Sequence, residues 1–378
     1  MQSKLNVWIL SDSVPGHINQ AYGLVKWMSD RYRMYCLEIP VHIRTKALSR
    51  LWMPFLLRRG HRGARVAIFA HQFGVPHPPP FATPDEQGLI PNEPGSPLSI
   101  MGFPHNNVDL IISAGGNTSF INAALAVWLG CDNIFIGSPR RLSSDMFTAH
   151  LTLERVGENN NIVMDLPPTL IDPVKLRQKA PIEKKELGVL KGRPVYALII
   201  GGDGAGFQYE RNDWVYFVSV MKKHRDQDRA QWLLTTSRRT TRKNDALIKE
   251  ILRATLPEDS VLERVIWSDT PRKVMQAYLS AADRIFVTAD SMSMISECIS
   301  TEKPVTLLHP KHASPDKRYQ AAIEKFIRLG FCSWDKRHEA DWQETGNMVP
   351  ENKAKIQDIR SNLLSRLETR IESLRFFH

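Results

Sequence analysis

Four polar loops, each following a short β-branched run, carry the side chains that could perform chemistry. The first, 11–20, places the carboxylate of Asp12 and the imidazole of His17 at the start of a predicted helix. These groups suit a general base and a group that positions an acceptor hydroxyl. Helix capping needs only one polar residue and this loop has six, so the loop as a whole favours function. For either residue taken singly, capping is an equal alternative.

The second loop, 201–207, is a glycine-rich turn after a predicted strand. Gly201, Gly202 and Gly204 would let the backbone approach a phosphate closely and direct N–H groups toward it. The loop is not a P-loop, because no Gly-Lys-Ser/Thr follows, and Phe207 replaces the third glycine of a dinucleotide fingerprint. It predicts phosphate binding, with a merely flexible turn as the alternative.

The third loop, 235–242, combines hydroxyls with arginines. Ser237 and Arg238 could hold a diphosphate through bidentate hydrogen bonds. Basic loops are common on a chain of net charge +10, so a solvated turn is an equal alternative.

The fourth loop, 288–297, opens a helix with small hydroxyl residues and is the most informative. Ser291 and Ser293 lie near the helix N-terminus, where a phosphate binds readily, and Asp290 immediately precedes them. Glu297, about two turns into the helix among apolar neighbours, could accept both ribose hydroxyls of a nucleotide. The alternative is that Asp290 or Ser291 caps the helix and Glu297 is solvated.

The elements that must position these loops alternate between strands and helices, which predicts α/β layers. Strands are predicted at 6–10, 34–41, 65–70, 108–113, 133–136, 195–200, 231–236, 264–267, 284–288 and 305–308. One predicted helix follows the turn at 115–117 and ends at 130. The other helices are predicted at 17–31, 46–57, 213–225, 244–256, 271–281, 292–301, 318–329 and 351–376. We therefore expect two Rossmann-like α/β domains facing a cleft, with ligands at the carboxyl ends of the strands.

Domain boundaries follow from composition. An N-terminal Rossmann-like domain is predicted over 1–170 with a Pro-rich insertion at 72–107, and a linker rich in Pro and Lys at 171–193. A second α/β domain follows over 194–350. A C-terminal helix, 351–378, is expected to pack back across the domains.

Composition limits the class of protein. The chain has 378 residues, of which 42% are hydrophobic and 24% charged, an ordinary mixture for two globular domains. The four cysteines form no CxxC pair, and no signal-peptide pattern or membrane-length apolar run is present, so a cytoplasmic protein is predicted. The surplus of positive charge favours an anionic partner. Nucleic acid is not expected, because no helix-turn-helix, zinc or RNP pattern accompanies the charge.

The stretch 290–297, followed by Lys303 and Pro304, resembles the nucleotide-sugar half of GT-B glycosyltransferases. The whole chain resembles the bacterial branch of the mitochondrial-fission "elongated mitochondria" family. The similarity is carried by 11–20, 108–141, 199–202, 235–239 and 287–304. The sequence departs from the family where the usual Gly-Gly-Pro-Ser turn is replaced by Gly-Gly-Asp-Gly at 201–204, and in the insertion at 72–107.

The resemblance implies a GT-B fold and a metal-independent glycosyltransferase that needs no cofactor. The domain at 194–350 would bind a nucleotide sugar as donor, and the domain at 1–170 would face the acceptor, a cell-envelope glycolipid or polysaccharide. Glu297 would hold the ribose, Ser291 and the glycine loop the phosphates, and Trp267 the base, with Asp12 or His17 as general base. The lone D-x-D, 226–228, lies in a charged helix end rather than a metal site. Because the plant member recruits a dynamin, a non-catalytic scaffold of the same fold is the alternative.

A basic segment, 46–65, suggests a further partner. It has no acidic residue, and its basic residues are Lys46, Arg50, Arg58, Arg59, Arg62 and Arg65. Leu48, Leu51, Trp52, Phe55 and Leu56 lie between them. Such a helix suits an anionic membrane surface, which would make the protein peripheral on the inner face of the membrane. A packing helix with solvated arginines is an equal alternative.

Overall fold

The chain forms two compact units. The computed structural model describes residues 4–44, 46–81, 108–157, 159–335 and 351–375, with only the backbone described at 46–50, 373 and 375. Unit 1 comprises residues 1–170 together with 357–378, and unit 2 comprises residues 171–356.

Strands and helices alternate along most of the chain. The strands are β1 (Leu5–Ser11), β2 (Met34–Ile43), β3 (His71–Phe73), β4 (Leu110–Ala114), β5 (Asp132–Ile136), β6 (Ala149–Thr152), β7 (Asn161–Val163), β8 (Val195–Ile199), β9 (Gln231–Thr235), β10 (Val261–Val265), β11 (Arg284–Thr288), β12 (Val305–Leu308) and β13 (Ser333–Trp334). The helices are α1 (Pro15–Met28), α2 (Lys46–Leu57), α3 (Gly60–Phe69), α4 (Ser119–Leu129), α5 (Pro173–Glu186), α6 (Arg211–Asp228), α7 (Thr241–Thr255), α8 (Met275–Ala281), α9 (Met292–Ile299), α10 (Lys317–Arg328), α11 (Ile356–Glu368) and α12 (Glu372–Arg375).

Each unit contains one sheet. In unit 1 the strand order is β3-β2-β1-β4-β5-β6-β7, with every neighbouring pair parallel except the antiparallel β2 and β3. In unit 2 the order is β10-β9-β8-β11-β12-β13, and all pairs are parallel. The predicted α/β class with two Rossmann-like domains is confirmed.

The central strands are apolar because helices cover both faces of such sheets. Every residue of β4 and of β8 is buried. In unit 1 one core cluster combines residues of β1, β2, β4 and β5 with residues of α2, α3 and α4, among them Trp8, Ile39, Ile111 and Phe135.

The segment 171–193 differs from the linker that its composition predicts, because most of it forms α5 within unit 2. Asp172 is the N-cap residue, and its carboxylate accepts hydrogen bonds from the N–H groups of Val174 and Lys175 at 3.0 and 3.2 Å. Pro173 occupies the first turn, where proline is favoured. Only Pro173 and Leu176 are buried, so the helix has little apolar periodicity for a sequence pattern to detect.

The predicted strand at 65–70 is wrong, because these residues lie mostly in α3. Ala64, Ala67 and Ile68 are buried at helical spacing, whereas Arg65 and Phe69 are exposed. The apolar run looked β-like because β-branched residues alternate with small ones, and the true strand, β3, follows it. Most of the Pro-rich stretch predicted at 72–107 lies outside the described residues.

The C-terminal segment returns to unit 1 as α11 and α12 rather than as the single helix predicted over 351–376. Glu368 accepts hydrogen bonds from Arg31 at 2.7 Å and from the hydroxyl of Tyr32 at 2.6 Å. Arg366 donates to the carbonyl oxygen of Val163 at 2.7 Å. These contacts fix α11 against the end of α1 and against β7.

Gly23 on α1 gives a test of this packing. A Cβ there would lie 2.6 Å from the backbone of both Pro168 and Thr169. On a free helix Gly→Ala stabilises by about 1 kcal/mol. We expect Gly23→Ala instead to lower the free energy of unfolding by about 1–3 kcal/mol, because backbone atoms must move. Urea unfolding measures the change. Gln20→Ala on the same helix is the control and should have little effect, and a Gly23→Ala protein as stable as the parent would contradict the packing.

Candidate functional site

Unit 2 has its topological switch point between β8 and β11. From β8 the chain proceeds through β9 to β10 on one side, and from β11 through β12 to β13 on the other. In open α/β sheets this divergence leaves a crevice at the carboxyl ends of the two strands, where ligands bind. The loops after β8 and β11 are the predicted 201–207 and 288–297 loops, so both lie at this crevice.

The loop after β8 requires glycines because side chains from neighbouring loops lie close to its backbone. A Cβ at Gly201 would lie 2.2 Å from Oδ2 of Asp290, and one at Gly204 would lie 2.6 Å from Nη1 of Arg239. Gly202 has a φ of +123°, which side-chain-bearing residues rarely adopt. The loop is therefore closely packed against its neighbours and is not merely flexible.

The carboxylate of Asp290 is the buried centre of this cluster. Its side chain is fully buried, and Nη2 of Arg239 donates to Oδ2 at 2.6 Å. The hydroxyl of Tyr209 donates to Oδ1 at 3.2 Å. Burial raises the pKa of Asp290 to about 6, and the positive charge of Arg239 opposes the rise. At neutral pH Asp290 is therefore ionised and holds Arg239 over the glycine loop.

The loop after β9 is hydrogen-bonded to the loop after β8. The hydroxyls of Ser237 and Thr240 both donate to the carbonyl oxygen of Gly201, the latter at 3.0 Å. The N–H of Ser237 donates to Oγ1 of Thr240 at 2.9 Å. Arg238 is exposed, whereas Arg239 is half-buried beside Asp290. The arginine that joins the cluster is therefore Arg239, the neighbour of the predicted Arg238.

Helix α9 begins just after Asp290 and presents polar groups near its N-terminus. Ser291 is its N-cap residue but makes no capping hydrogen bond, and its Oγ lies 3.3 Å from Oγ of Ser293. Ser293 and Glu297 are four residues apart, so they share one face of the helix. Glu297 is half-buried. An N-terminus without a side-chain cap keeps first-turn N–H groups available to an anion.

Trp267 lies further from the cluster. It follows β10, which ends two residues before it and not at 267 as predicted. The backbone N–H of Trp267 donates to Oγ1 of Thr236 at 2.9 Å, so a hydrogen bond joins the loops after β9 and β10. β10 is two strands from β8, about 10 Å across the sheet, so Trp267 follows a strand that does not border the switch point.

Unit 1 repeats this arrangement between β1 and β4, where its own strand order diverges. Asp12 follows β1, and Asn117 follows β4. Nδ2 of Asn117 donates to Oδ2 of Asp12 at 2.9 Å, and Nη2 of Arg140 donates to Oδ1 of Asn117 at 2.8 Å. Nδ1 of His17 lies 3.0 Å from the same Oδ2.

Asp12 and His17 have the geometry of a general base in which a carboxylate holds the imidazole in one orientation. Burial would raise the pKa of Asp12, but hydrogen bonds from His17, Asn117 and the Val14 N–H hold it below its usual value. Because an ionised carboxylate only accepts, Nδ1 of His17 carries a proton and Nε2 is left to accept one. The His17 side chain is 36% exposed and that of Asp12 only 4%. Gly115, with a φ of +83°, makes room for the ring, since a Cβ there would lie 2.2 Å from Nδ1.

Within the described ranges, no group of three or more His, Cys, Asp or Glu residues could hold a metal ion. The D-x-D at 226–228 lies at the end of α6. Oδ2 of Asp228 accepts from the hydroxyl of Tyr196 at 3.2 Å and lies 2.6 Å from Nδ1 of His224. No helix of the described chain is long and apolar enough to cross a bilayer.

A family model described as Mitochondrial fission ELM1 matches residues 15–355. The chain belongs to this family. The predicted resemblance to the mitochondrial-fission family is thereby confirmed. As an ELM1-family member it is similar to an uncharacterized protein of Rickettsia prowazekii (strain Madrid E), with 20% identity over 345 residues, which cover 85% of this chain and 88% of that protein.

A solved structure shares the fold of this ELM1-family chain. The UDP-GlcNAc 2-epimerase from Methanocaldococcus jannaschii matches with a TM-score of 0.50 and 12% identity, covering 96% of this chain and 100% of that one. An alpha,alpha-trehalose-phosphate synthase from Burkholderia xenovorans in complex with glucose-6-phosphate matches with a TM-score of 0.46 and 12% identity, covering 98% of each chain. The GT-B-like architecture predicted from the sequence is confirmed.

Three residues of the two clusters escaped sequence reasoning: Arg239, Tyr209 and Asn117. Arg238 and Arg239 are the same residue type in the same loop, so the sequence does not show which of them joins the cluster. Asn117 follows a Gly-Gly turn after β4, and this signal would have found it, because that strand neighbours β1. Tyr209 reaches Asp290 from a loop 81 residues away, which no local pattern encodes.

The raised pKa of Asp290 predicts how stability depends on pH. Between about pH 4 and pH 6 the folded chain retains a proton that the unfolded chain has lost. Ionising this carboxyl therefore lowers the free energy of unfolding, by about 3 kcal/mol in full. Asp290→Asn cannot ionise, and the other carboxyls titrate in both proteins. We expect the stability of the parent relative to Asp290→Asn to fall by most of that amount, about 2 kcal/mol, from pH 4 to about pH 7 in urea unfolding. A difference that is constant or rises with pH would show that Asp290 is not a buried, disfavoured anion.

Proposed function

We propose that the chain is a metal-independent glycosyltransferase. It would move a sugar from a nucleotide-activated donor to a hydroxyl of a cell-envelope glycolipid or polysaccharide. The observation that carries this proposal is the cluster at the switch point of unit 2. There a glycine loop, the Asp290–Arg239 pair and the uncapped N-terminus of α9 stand together, as a diphosphate site requires.

The donor would be held by unit 2. A guanidinium has five N–H donors in a fixed plane, so Arg239 can keep Nη2 on Asp290 and direct other N–H groups to a diphosphate oxygen. The first-turn N–H groups of α9 and the Ser291 hydroxyl would bind the second phosphate. Glu297, on the same helical face as Ser293, would accept the ribose hydroxyls, and Trp267 would face the base.

The Asp12–His17 pair of unit 1 would act as base on the acceptor. The acceptor oxygen attacks the anomeric carbon and transfers its proton to Nε2 of His17, while the bond from that carbon to the diphosphate breaks. Asp12 keeps the imidazole in the correct tautomer and stabilises the imidazolium that forms. Charge on the departing nucleoside diphosphate is stabilised by Arg239 and the N-terminus of α9.

The comparison with solved structures supports a sugar nucleotide as donor. The Methanocaldococcus jannaschii protein that shares the fold is named for UDP-GlcNAc, a nucleotide-activated sugar. A second candidate function is a scaffold, which would keep the fold and bind its partners without turnover. The family description, mitochondrial fission, favours this candidate. The two candidates differ in whether Asp12 and His17 are needed.

Nucleotide binding can be tested with neighbouring arginines. Purified protein is screened by thermal shift against UDP, GDP, ADP, TDP and CMP. A ligand at about 100 times its Kd adds about 2.7 kcal/mol, which raises Tm by roughly 5–10 °C for a unit of this size. We expect this ligand-induced shift to be lost in Arg239→Ala and in Glu297→Ala. Arg238→Ala, which removes the same charge from an exposed position, should keep most of it.

Each variant is compared with and without nucleotide, because Arg239→Ala also leaves Asp290 without its cation. Equal shifts in both arginine variants would contradict the assigned diphosphate site. No shift with any nucleotide would count against the donor altogether.

The rate of enzymatic turnover tests whether Asp12 and His17 act as the general base. In a donor-hydrolysis or transfer assay, His17→Ala should lower kcat about 100-fold or more, since a general base contributes that much. Asp12→Asn should act in the same direction because it disfavours the productive tautomer. Both variants should retain the nucleotide-induced rise in Tm, which shows that donor binding is intact. Unchanged turnover in both variants would show that Asp12 and His17 are not the base, and no turnover in the parent would favour the scaffold.

A further inference from the structure

The helices α2 and α3 of unit 1 expose apolar and cationic side chains together. We call this surface the α2–α3 face. It consists of Leu51, Trp52, Phe55, Val66 and Phe69 with Arg58, Arg59, Arg62 and Arg65, all exposed. Trp52 and Phe55 are each 63% exposed, an unusual degree for side chains of this size. The side chains of Lys46, Leu48 and Arg50 lie outside the described residues.

The exposed apolar residues are not the core-facing stripe of these helices. Met53 and Leu57 are the buried side chains of α2. They lie on the side of the helix opposite to Leu51 and Phe55. On α3 the buried positions are Gly63, Ala64, Ala67 and Ile68. The sequence left open whether the apolar residues of 46–65 pack inward, and the structure shows a separate, outward-facing set.

The two helices are held in close contact. A Cβ at Gly63 would lie 1.6 Å from the carbonyl oxygen of Leu56, so only glycine allows this approach. The guanidinium of Arg65 stands 5.9 Å from the centre of the Phe69 ring. Cation and aromatic ring are therefore neighbours on one surface.

The segment that carries the face has no acidic residue. No Asp or Glu occurs between Glu38 and Asp85. None of the four arginines forms an ion pair with a described residue. Large apolar groups interleaved with arginine match the boundary between acyl chains and acidic headgroups, where aromatic residues and Arg both partition.

We propose that the α2–α3 face docks unit 1 onto an anionic lipid surface. The apolar side chains enter the headgroup boundary while the arginines contact lipid phosphates. The face also borders a cavity of about 510 Å³, which Phe69 lines together with His42 and Arg44 at the carboxyl end of β2. Since β2 runs parallel to β1, these residues follow the same carboxyl edge of the sheet as Asp12. Docking does not depend on the proposed transferase and can be measured without any sugar donor.

Vesicle co-sedimentation of the full chain tests the docking. Vesicles of phosphatidylcholine alone are compared with vesicles that also contain phosphatidylglycerol. We expect binding to the anionic vesicles, weakened by salt. Each Lys or Arg near such a surface contributes about 1 kcal/mol, or roughly fivefold, so Arg58→Gln with Arg62→Gln should weaken binding about 25-fold. Trp52→Ser with Phe55→Ser should weaken binding at least as much and also reduce the salt-resistant fraction.

Matched double variants in unit 2 serve as controls. Lys222→Gln with Lys223→Gln removes two exposed positive charges from α6, and Val174→Ser with Ile182→Ser removes two exposed apolar groups from α5. Both should bind as the parent does. Circular dichroism confirms that every variant is folded.

Three results would overturn the proposal. The first is no binding to anionic vesicles, and the second is equal loss of binding in the unit 1 and unit 2 charge variants. The third is a change from dimer to monomer in Trp52→Ser with Phe55→Ser, measured by sedimentation without lipid, because the face would then join two copies of the chain. Vesicle binding with no nucleotide shift would leave docking intact and remove the transferase.

Discussion

The buried carboxylate of Asp290 determines the arrangement of the whole cluster in unit 2. It follows β11, and it contacts the loop after β8 directly, the loop after β9 through Arg239 and the start of α6 through Tyr209. A buried anion is stable only where it is paired and hydrogen-bonded, so these partners have little freedom to move. The position of Arg239 and the absence of side chains at Gly201 and Gly204 both follow from that requirement.

Unit 1 meets the same need with different groups. Its carboxylate, Asp12, is held across the switch point by an amide and an imidazole, where unit 2 uses a guanidinium and a phenol. The difference has a chemical consequence. The pKa of Asp12 is lowered and that of Asp290 is raised, because one carboxylate gains more from its hydrogen bonds than it loses by burial and the other does not. One unit thus presents an oriented imidazole, and the other a positioned cation.

The sequence was sufficient for features that depend on local patterns. The β-branched runs and the polar residues after them placed the Asp12 and Asp290 loops at strand ends, because parallel strands and their loops follow one another along the chain. It failed where tertiary packing overrides the local pattern. The apolar run at 65–70 became helical because Ala64 and Ala67 pack inward, and α5 went unrecognised because it buries only one side chain beyond its first-turn proline. The choice between Arg238 and Arg239 depends on the direction of each side chain from a turn, which composition does not encode.

The return of residues 357–378 to unit 1 gives the protein an order of assembly. The ribosome completes unit 2 before it supplies the helix that contacts Arg31, Tyr32 and Val163. At about 5–20 residues per second, the first 170 residues wait roughly ten to forty seconds for α11. During synthesis the sheet of unit 1 therefore exists before α11 is made, and a segment made after unit 2 completes unit 1.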